Sequence, residues 1–224
     1  MEENIYFKQK NLFDPHDKGS LQIHVYGVGS IGSHIVAGLT KMGMDNITIY
    51  DYDNIEIDNL PAQFYPYNKV VEDNEPKVKA LQSFIKEFVG VEITTIQEKI
   101  TENTALSIDY NSIHIVCFDN IEGRKNIFNT LKGFPVHYID GRIGAFNLEK
   151  YYLLMNGKDE DLDNYSNSLE GEFTPLSCGD KTLWSVNSML ASKIIADVIK
   201  ISKGMEVTKE FKSTLMSDLA ISKK

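Results

Sequence analysis

Residues 21–51 read LQIHVYGVGSIGSHIVAGLTKMGMDNITIYD and carry the strongest indication of the fold. It opens with an apolar run, breaks into glycines, continues with apolar residues at helical spacing, and closes with a β-branched run that ends at Asp51. Short apolar runs bounded by turn residues predict strands, and apolar residues three or four positions apart predict a helix. Two strands joined through a helix usually lie parallel in one sheet. The stretch therefore predicts a strand, a helix and a second, parallel strand.

The same alternation continues along the chain. Further strands are predicted at 91–96, 112–118, 135–139 and 146–155, and further helices at 76–88, 121–131 and 183–201. Polar, turn-rich residues at 52–74 and acidic residues at 156–172 predict loops. The expected fold class is α/β, with a doubly wound, mostly parallel sheet of Rossmann type. The expected parts are an N-terminal extension over 1–20, one domain over 21–204 and a polar C-terminal tail over 205–224.

Composition excludes several classes of protein. The chain has 224 residues and a formal net charge of -9, which opposes non-specific binding to nucleic acid. It contains no apolar run of the length that spans a bilayer, and its start lacks the features of a signal peptide. Its two cysteines, Cys117 and Cys178, lie too far apart in sequence to suggest a disulfide framework or a thiolate zinc site. We expect a cytoplasmic protein with no nucleic-acid or membrane partner.

Three glycines mark the first turn as a candidate nucleotide site. Gly27, Gly29 and Gly32 form G-x-G-x-x-G between the first strand and its helix, where backbone can approach a phosphate at a helix N-terminus. Asp51, at the end of the second strand, is placed to accept both hydroxyls of a ribose. A nicotinamide-dependent oxidoreductase explains these residues equally well, and a glycine-rich turn without a ligand is the simpler alternative.

Three later segments separate these alternatives. They read DYDNIEIDNLPAQF at 51–64, NEPKVKAL at 74–81 and CFDNIEGRKNIFN at 117–129. In this order they resemble the ThiF/MoeB/HesA superfamily of ubiquitin-activating-enzyme-like adenylating proteins. That superfamily has a D-x-D after the second strand, an N-L-x-R-Q, a P-K opening a helix, and a D-N followed by an arginine.

The resemblance implies a ThiF/MoeB-type domain that uses ATP and Mg²⁺ to adenylate a carboxylate. It implies that this carboxylate is the C-terminus of a small ubiquitin-like or sulfur-carrier protein, and that the enzyme is a homodimer. Carried over by position, Asp51 is the ribose ligand, Asn59 and Lys77 are phosphate ligands, and Asp119 is the Mg²⁺ ligand. The other implied nucleotide-binding residues are Gly27, Gly29, Gly32, Asp53 and Gln63.

The chemistry of adenylation calls for the same residue types. Attack at the α-phosphate of ATP needs a cation on the phosphates, a metal on the departing pyrophosphate and a carboxylate that holds the metal. Lys77 and Asp119 supply the cation and the carboxylate, whereas hydride transfer needs neither. The alternatives are a solvated lysine at a helix start for Lys77 and an N-cap or turn residue for Asp119.

One position departs from the pattern. Ala62 stands where N-L-x-R-Q has its arginine, so a cation facing the phosphates is missing. Arg142, in DGRIGAF just beyond a predicted strand end, is the expected substitute, with a surface salt bridge as the alternative. Arg124 is expected to brace the Asp119 loop instead. Compact ThiF-like proteins of phages and plasmids are similar in having D-G-R-x-G and a later C-x-x-x-T, which CGDKT at 178–182 matches.

Cys178 is the candidate nucleophile for a second step. A thiolate attacks acyl adenylates well, and Lys181 nearby would raise its thiolate fraction. An incidental or structural Cys178 is the alternative, and Cys117 is expected in the core. The histidines within predicted strands and helices are expected to be structural. Because of Ala62, a catalytically degenerate nucleotide-binding partner protein remains the main alternative to an enzyme.

Overall fold

The computed structural model describes residues 5–18, 21–68, 74–170, 183–216 and 220–223. The strands in these residues are β1 Ile23–Tyr26, β2 Ile47–Tyr50, β3 Thr94–Ile96, β4 Ile113–Val116, β5 His137–Gly144, β6 Asn147–Leu154, β7 Glu210–Thr214 and β8 Ala220–Lys223. The helices are α1 Ser30–Lys41, α2 Lys77–Val89, α3 Ile121–Leu131, α4 Asp159–Ser168 and α5 Trp184–Ser202. Short 3-10 helices cover Pro15–Lys18 and Ile57–Asn59.

These strands form one sheet in the order β3-β2-β1-β4-β5-β6-β7-β8. The half from β3 to β5 is parallel, and β5 to β8 are antiparallel. From β1 the chain moves outward to β2 and β3, then returns to β4 on the other side of β1. Open α/β sheets bind ligands at the carboxyl ends of strands where the strand order reverses. The expected fold class is confirmed, and the sheet places a candidate site at the carboxyl ends of β1, β2 and β4.

Helices cover both faces of the parallel half. On one face α1, α2 and α5 share a hydrophobic cluster that contains Ile35, Leu81 and Ile194. On the other face α3 and α4 share a second cluster, which contains Phe128 and Tyr165. Since strand residues alternate between the two faces, β1, β2, β4 and β5 each contribute to both clusters. This part of the sheet is therefore buried between two helical layers.

Three helices lie close to where the sequence predicts them. α2 begins directly after Pro76 and ends at Gly90, whose φ of 74° is typical of a helix end. The helix α3 has the predicted bounds, and Asn120 caps it by accepting a hydrogen bond of 2.7 Å from the Gly123 amide.

Of the helices in the residues described, none has the length and the apolar composition that crossing a bilayer takes.

The acidic stretch 156–172 differs from the expectation. It is not a loop throughout, because α4 occupies Asp159–Ser168 and buries Leu162 and Tyr165 against the second hydrophobic cluster. Three acidic residues in its first turn favour the positive end of the helix dipole. The prediction of a loop was wrong because the acidic composition concealed two apolar residues at helical spacing.

The expected tail 205–224 contributes to the sheet. Its strands β7 and β8 extend the antiparallel half beyond β6. The Glu210 carboxylate pairs with Lys223 at 2.8 Å and with Lys212 at 3.0 Å, and Phe211 packs on the first hydrophobic cluster. The cross-strand ion pair of Glu210 with Lys223 and one aromatic contact thus help to hold two strands whose polar sequence gives little sign of them.

Candidate functional site

The glycine turn joins β1 to α1 and depends on two of its glycines. Gly27 has a φ of 84°, in the region that favours glycine. At Gly32 an added Cβ would lie 2.0 Å from the Gly27 carbonyl oxygen, so no larger residue fits. At Gly29 the nearest atom to an added Cβ is the Gln63 side-chain nitrogen, 3.8 Å away. In the part of the chain that the structure describes, no side chain caps α1, so its first amides can face an anion.

Asp51 ties the end of β2 to this turn. One carboxylate oxygen accepts a hydrogen bond of 2.9 Å from the Val28 amide, and the other accepts one of 2.9 Å from the Asp53 amide. Burial raises the pKa of Asp51, while the nearby charge of Lys77 and the two amides oppose the rise. Each carboxylate oxygen has a second lone pair, so the same group can also accept two hydroxyls of a sugar.

The loop after β2 closes over the glycine turn through Tyr65 and Gln63. The Tyr65 hydroxyl donates a hydrogen bond of 2.6 Å to the Val28 carbonyl. The Gln63 side chain is buried, and its carbonyl oxygen has no hydrogen-bond partner among the residues described. A buried amide oxygen without a partner costs about 1–3 kcal/mol of stability. This oxygen therefore favours a ligand that donates a hydrogen bond to it.

Lys77 opens α2 as a buried, paired lysine. It is 8% exposed, which excludes a solvated surface side chain. Its ammonium lies 2.9 Å from the Asp53 carboxylate, and its backbone amide donates to the Asp53 carbonyl at 2.9 Å. Asp53 therefore fixes both the helix start and the lysine side chain. Asn59, the other expected phosphate ligand, ends a 3-10 helix and donates to the Glu56 carboxylate at 3.0 Å.

Asp119 follows β4 at the same edge of the sheet and is exposed. Its charge raises the pKa of the Tyr52 phenol, after the larger effects of Asp53 and of burial. Asp51 acts on the same phenol, so the carboxylates of Asp51, Asp53 and Asp119 share one neighbourhood. No group of three metal-ligating side chains occurs in the described residues. Mg²⁺ is usually held by one or two carboxylates together with substrate phosphates, so a single Asp119 carboxylate fits this ion.

Arg142 differs from the expected placement. It does not follow the end of a strand, because β5 continues to Gly144 and pairs with β6 there. The parallel pairing of β5 with β4 does end earlier, at Asp140 opposite Val116. The sequence missed this extension because the hairpin turn lies beyond Gly144, at Ala145 and Phe146, with Ala145 at a φ of 52°. Arg142 thus lies two residues beyond the parallel sheet, on the strand next to the one that leads to Asp119.

The Arg142 guanidinium faces the layer of α3 and α4. Its Nε lies 2.6 Å from the Asp140 carboxylate, and its terminal nitrogens donate to the Ser168 hydroxyl at 3.1 Å and carbonyl at 3.4 Å. It also stacks over the rings of Tyr151 and Tyr165, with 4.5 and 5.3 Å to the ring centroids. These described contacts do not include Lys77 or the glycine turn, so the catalytic role of Arg142 stays a prediction.

Arg124 braces the loop before α3, and a residue that sequence reasoning did not select holds it in place. Its guanidinium donates to the Phe118 carbonyl, directly before Asp119, and to the Gly141 carbonyl at 3.2 Å. It also pairs with Asp140, which is fully buried. The D-G-R string drew attention to its arginine, whereas the pairing of Asp140 with two arginines depends on contact between β5 and α3.

The two cysteines differ in what the structure describes. The candidate nucleophile Cys178, with Lys181 and Thr182, lies outside the described residues. Cys117 packs against the first hydrophobic cluster, and burial raises the pKa of its thiol to about 12. A thiol with such a pKa carries almost no thiolate at neutral pH, so Cys117 is unsuited to nucleophilic attack.

Comparison with known proteins agrees with this geometry. The model of the ThiF family matches residues 16–219. Ubiquitin-like modifier-activating enzyme 5 of Drosophila simulans is 27% identical over 116 residues, which is 47% of this chain and 29% of the relative. Molybdopterin-synthase adenylyltransferase of Haemophilus influenzae is 26% identical over 132 residues, 58% of this chain and 54% of the relative.

Solved structures support the same fold. Escherichia coli MccB in a structure with MccA superposes with a TM-score of 0.76 at 18% identity, covering 100% of this chain and 72% of MccB. At this identity the likeness shows the fold alone. The chain spans from about a third to about half of the length of the two curated relatives.

Proposed function

Because the chain belongs to the ThiF family, we propose that it uses ATP to adenylate a carboxylate, forming an acyl adenylate and releasing pyrophosphate. One observation carries the proposal. The glycine turn, the ribose-accepting Asp51, the buried Lys77 and the exposed Asp119 meet at the carboxyl edge of the parallel strands. Hydride transfer does not require a buried lysine or an exposed carboxylate at this edge.

The nucleotide half of the site follows from these contacts. Asp51 accepts the ribose hydroxyls, and the first amides of α1 together with Gly27, Gly29 and Gly32 receive the phosphates. The unpaired amide oxygen of Gln63 accepts a hydrogen bond from the nucleotide, and Asn59 completes the phosphate contacts. The Lys77 ammonium, which pairs with the Asp53 carboxylate in the structure, contacts phosphate oxygens instead when ATP binds. Escherichia coli MccB has been solved with ATP, which supports a nucleotide of this kind.

The chemical step needs positive charge on the phosphates and no proton transfer. An oxygen of the substrate carboxylate bonds to the α-phosphorus as the bond from that phosphorus to the pyrophosphate oxygen breaks. Lys77 stabilises the charge on the phosphates. Asp119 would hold Mg²⁺, which would supply positive charge to the pyrophosphate group. Arg142 supplies the cation that Ala62 does not, which requires its guanidinium to turn from Ser168 toward the edge of the sheet.

Ala62 cannot supply the cation that faces the phosphates, so another residue must do so. Its carbonyl accepts hydrogen bonds from His34 at 3.2 Å and from Asn187 at 2.8 Å, so the loop is fixed to α1 and α5. The methyl group of Ala62 offers no charge. The distance between neighbouring strands is about 5 Å, so Arg142 on β5 is one strand away from the loop that carries Asp119.

The substrate we propose is the C-terminal carboxylate of a small ubiquitin-like or sulfur-carrier protein. The names of the relatives support this class, since they are activating enzymes for a ubiquitin-like modifier and an adenylyltransferase of molybdopterin synthase. Cys178 is the proposed nucleophile of a second step on the acyl adenylate. We place the protein in the cytoplasm, where ATP is supplied.

A homodimer is proposed on the apolar groove between α1, α2 and α5. The groove is lined by Ala37, Gly38, Phe64, Phe88, Ala191 and Ile195, among others. Large apolar side chains beside it are exposed to solvent, Trp184 by 45% and Met189 by 39%. Exposed apolar surface of this kind is more common at protein interfaces than on monomers.

Exchange of labelled pyrophosphate into ATP tests the proposal. The reaction mixture contains Mg²⁺ and small proteins that end in Gly-Gly, and the same proteins with an amidated C-terminus are the control. We expect exchange only with the free carboxylate, and its loss in Lys77→Ala and Asp119→Ala by a factor of roughly 10² or more. Binding of ATP without any exchange would instead favour a degenerate nucleotide-binding partner protein, the alternative that Ala62 motivates.

A further inference from the structure

The Asp140 carboxylate stands at the centre of a buried cluster of charged groups. Its side chain is fully buried, at 0% exposed. One oxygen pairs with the Arg124 guanidinium. The other lies 2.6 Å from the Arg142 Nε and accepts a hydrogen bond of 2.9 Å from the Tyr165 hydroxyl. One negative charge therefore faces two positive charges inside the protein, and each arginine depends on Asp140 for its orientation.

Through Arg124 this carboxylate reaches the loop that carries Asp119. The Arg124 guanidinium donates to the Phe118 carbonyl, one residue before Asp119. Asp119 itself is exposed, and in the described residues its carboxylate makes no hydrogen bond or ion pair of its own. The position of Asp119 therefore depends on its backbone, which Arg124 holds on one side and the Asn120 cap on the other.

We propose that Asp140 is a positioning residue of the adenylation site, which sets the metal affinity of Asp119 through Arg124 and the orientation of Arg142 directly. This inference rests on the proposed function, because it assigns Asp140 a part in that same site. It adds a residue where the parallel pairing of β5 with β4 ends, on the side of the second helical layer. Neither the family pattern at 51–64, 74–81 and 117–129 nor the glycine turn includes this position.

Charge is the physical reason that Asp140 is needed. Burial lowers the pKa of Arg124, and the neighbouring positive charge of Arg142 lowers it further. Without the carboxylate the two guanidinium groups would repel each other in a site that water enters poorly. One or both would turn away, and the Phe118 carbonyl would lose its donor. Groups that orient a metal ligand in this way typically change metal affinity or activity by about 10–100-fold when they are removed.

Asp140→Asn tests the inference, because it keeps the shape of the side chain and removes the charge. The measurement is the melting temperature of the protein at saturating ATP as MgCl₂ is increased. We expect the Mg²⁺ concentration at half of the full shift to rise by about 10-fold or more. The turnover in pyrophosphate exchange should fall as well, while the KM for ATP changes by less than about threefold, since Asp51 and Lys77 are untouched.

Asp197→Asn is the matched control. Asp197 is also fully buried and pairs with a buried lysine, Lys150, at 2.9 Å, but it lies on α5 in the other helical layer. Its loss should lower the melting temperature without moving the Mg²⁺ midpoint by more than about twofold. An equal shift of the midpoint in both variants would mean that lost stability alone explains the effect, and this would overturn the inference.

A second variant keeps the test decisive if Asp140→Asn does not fold. Arg124→Lys keeps the positive charge beside Asp140. The lysine ammonium, however, lacks the planar guanidinium group that contacts both the Asp140 carboxylate and the Phe118 carbonyl. The Mg²⁺ midpoint should rise in this variant too. A wild-type midpoint in a folded Asp140→Asn or, failing that, in Arg124→Lys would disprove the positioning role. If the wild-type protein itself gives no shift with ATP and Mg²⁺, the proposed function fails instead, so the two failures are distinguishable.

Discussion

The ammonium of Lys77 lies 2.9 Å from the carboxylate of Asp53, at the point where α2 begins beside the end of β2. Lys77 is 8% exposed, so the lysine of this pair is buried, whereas the aspartate side chain is exposed to solvent. A buried lysine with a single partner is poised to accept a further anion. Asp53 thus keeps a cation at the edge of the sheet, next to the proposed phosphate site.

Tyr65→Phe should weaken nucleotide binding without changing the chemistry. The variant removes the hydrogen bond of 2.6 Å to the Val28 carbonyl, which fixes the turn whose Val28 amide also contacts Asp51. A lost buried hydrogen bond costs about 1 kcal/mol, so the Kd for ATP should rise by roughly fivefold at an unchanged exchange rate at saturation. Calorimetry measures the affinity. Tyr67→Phe, at an exposed tyrosine two residues later, is the control and should bind ATP as the wild type does.

Arg142→Ala should lower turnover by about two orders of magnitude, with a smaller loss in ATP affinity. Arg142→Lys should restore only part of the rate, because lysine lacks the planar fork of arginine. Steady-state pyrophosphate exchange measures both. Lys125→Ala removes an exposed ion pair of 2.8 Å with Glu170 and serves as the control. Wild-type turnover in Arg142→Ala would return Arg142 to the role of a structural ion pair with Asp140.

Stability should fall as the pH drops below about 6.5. Burial lowers the pKa of His24 to about 4, and burial together with the nearby His24 lowers that of His114 to about 2. The unfolded chain then binds protons that the folded chain does not, so acid favours unfolding. Between pH 6.5 and pH 5 each of these histidines should contribute a loss of roughly 1.5 kcal/mol.

Urea unfolding from pH 7 to pH 5 measures this loss. His24→Phe keeps a ring in the stack with Tyr26 and His114 and removes one titrating group, so its stability should depend less on pH. His16→Gln, at an exposed histidine, should show the dependence of the wild type. Parallel curves for His24→Phe and the wild type would show that His24 does not contribute.

Light scattering should give a mass about twice the 25.4 kDa of one chain. Met189→Glu places a charge beside the apolar groove and should shift the protein toward monomer, since burying an unpaired charge is costly. Met205→Glu, at a more exposed methionine away from the groove, should leave the mass unchanged. A wild-type monomer at micromolar concentration would remove any part for a second subunit in the site.

Local patterns in the sequence predicted the elements that form the candidate nucleotide site. The turn at Gly27 and Gly32, the strand end at Asp51 and the helix start at Pro76 all depend on residues close together in the chain. Each has a backbone requirement that few residue types meet, which is why the sequence reveals them. The bounds of α3 were predicted for the same reason.

What the sequence did not reveal depends on contacts between distant segments. Tyr65 reaches Val28 across 37 residues, and Asp140 joins arginines from α3 and from its own strand. Such side chains look ordinary in sequence, because their partners are set by strand order and register. Strand β7 was missed because its sequence is mostly polar and its pairing partner β6 lies far earlier in the chain.

Equilibrium binding of ATP with Mg²⁺ is the sharpest test of the proposed ATP site. It is measured for the wild type, Lys77→Ala and Lys79→Ala, with NAD as competitor. Lys79 lies on the same helix but bonds to Thr95 at 2.9 Å and is exposed, so it controls for the loss of a lysine. We expect ATP to bind to the wild type and to Lys79→Ala, to bind at least about 10-fold more weakly to Lys77→Ala, and not to be displaced by NAD. Tighter binding of NAD than of ATP, with equal ATP affinity in all three proteins, would disprove the proposed ATP site.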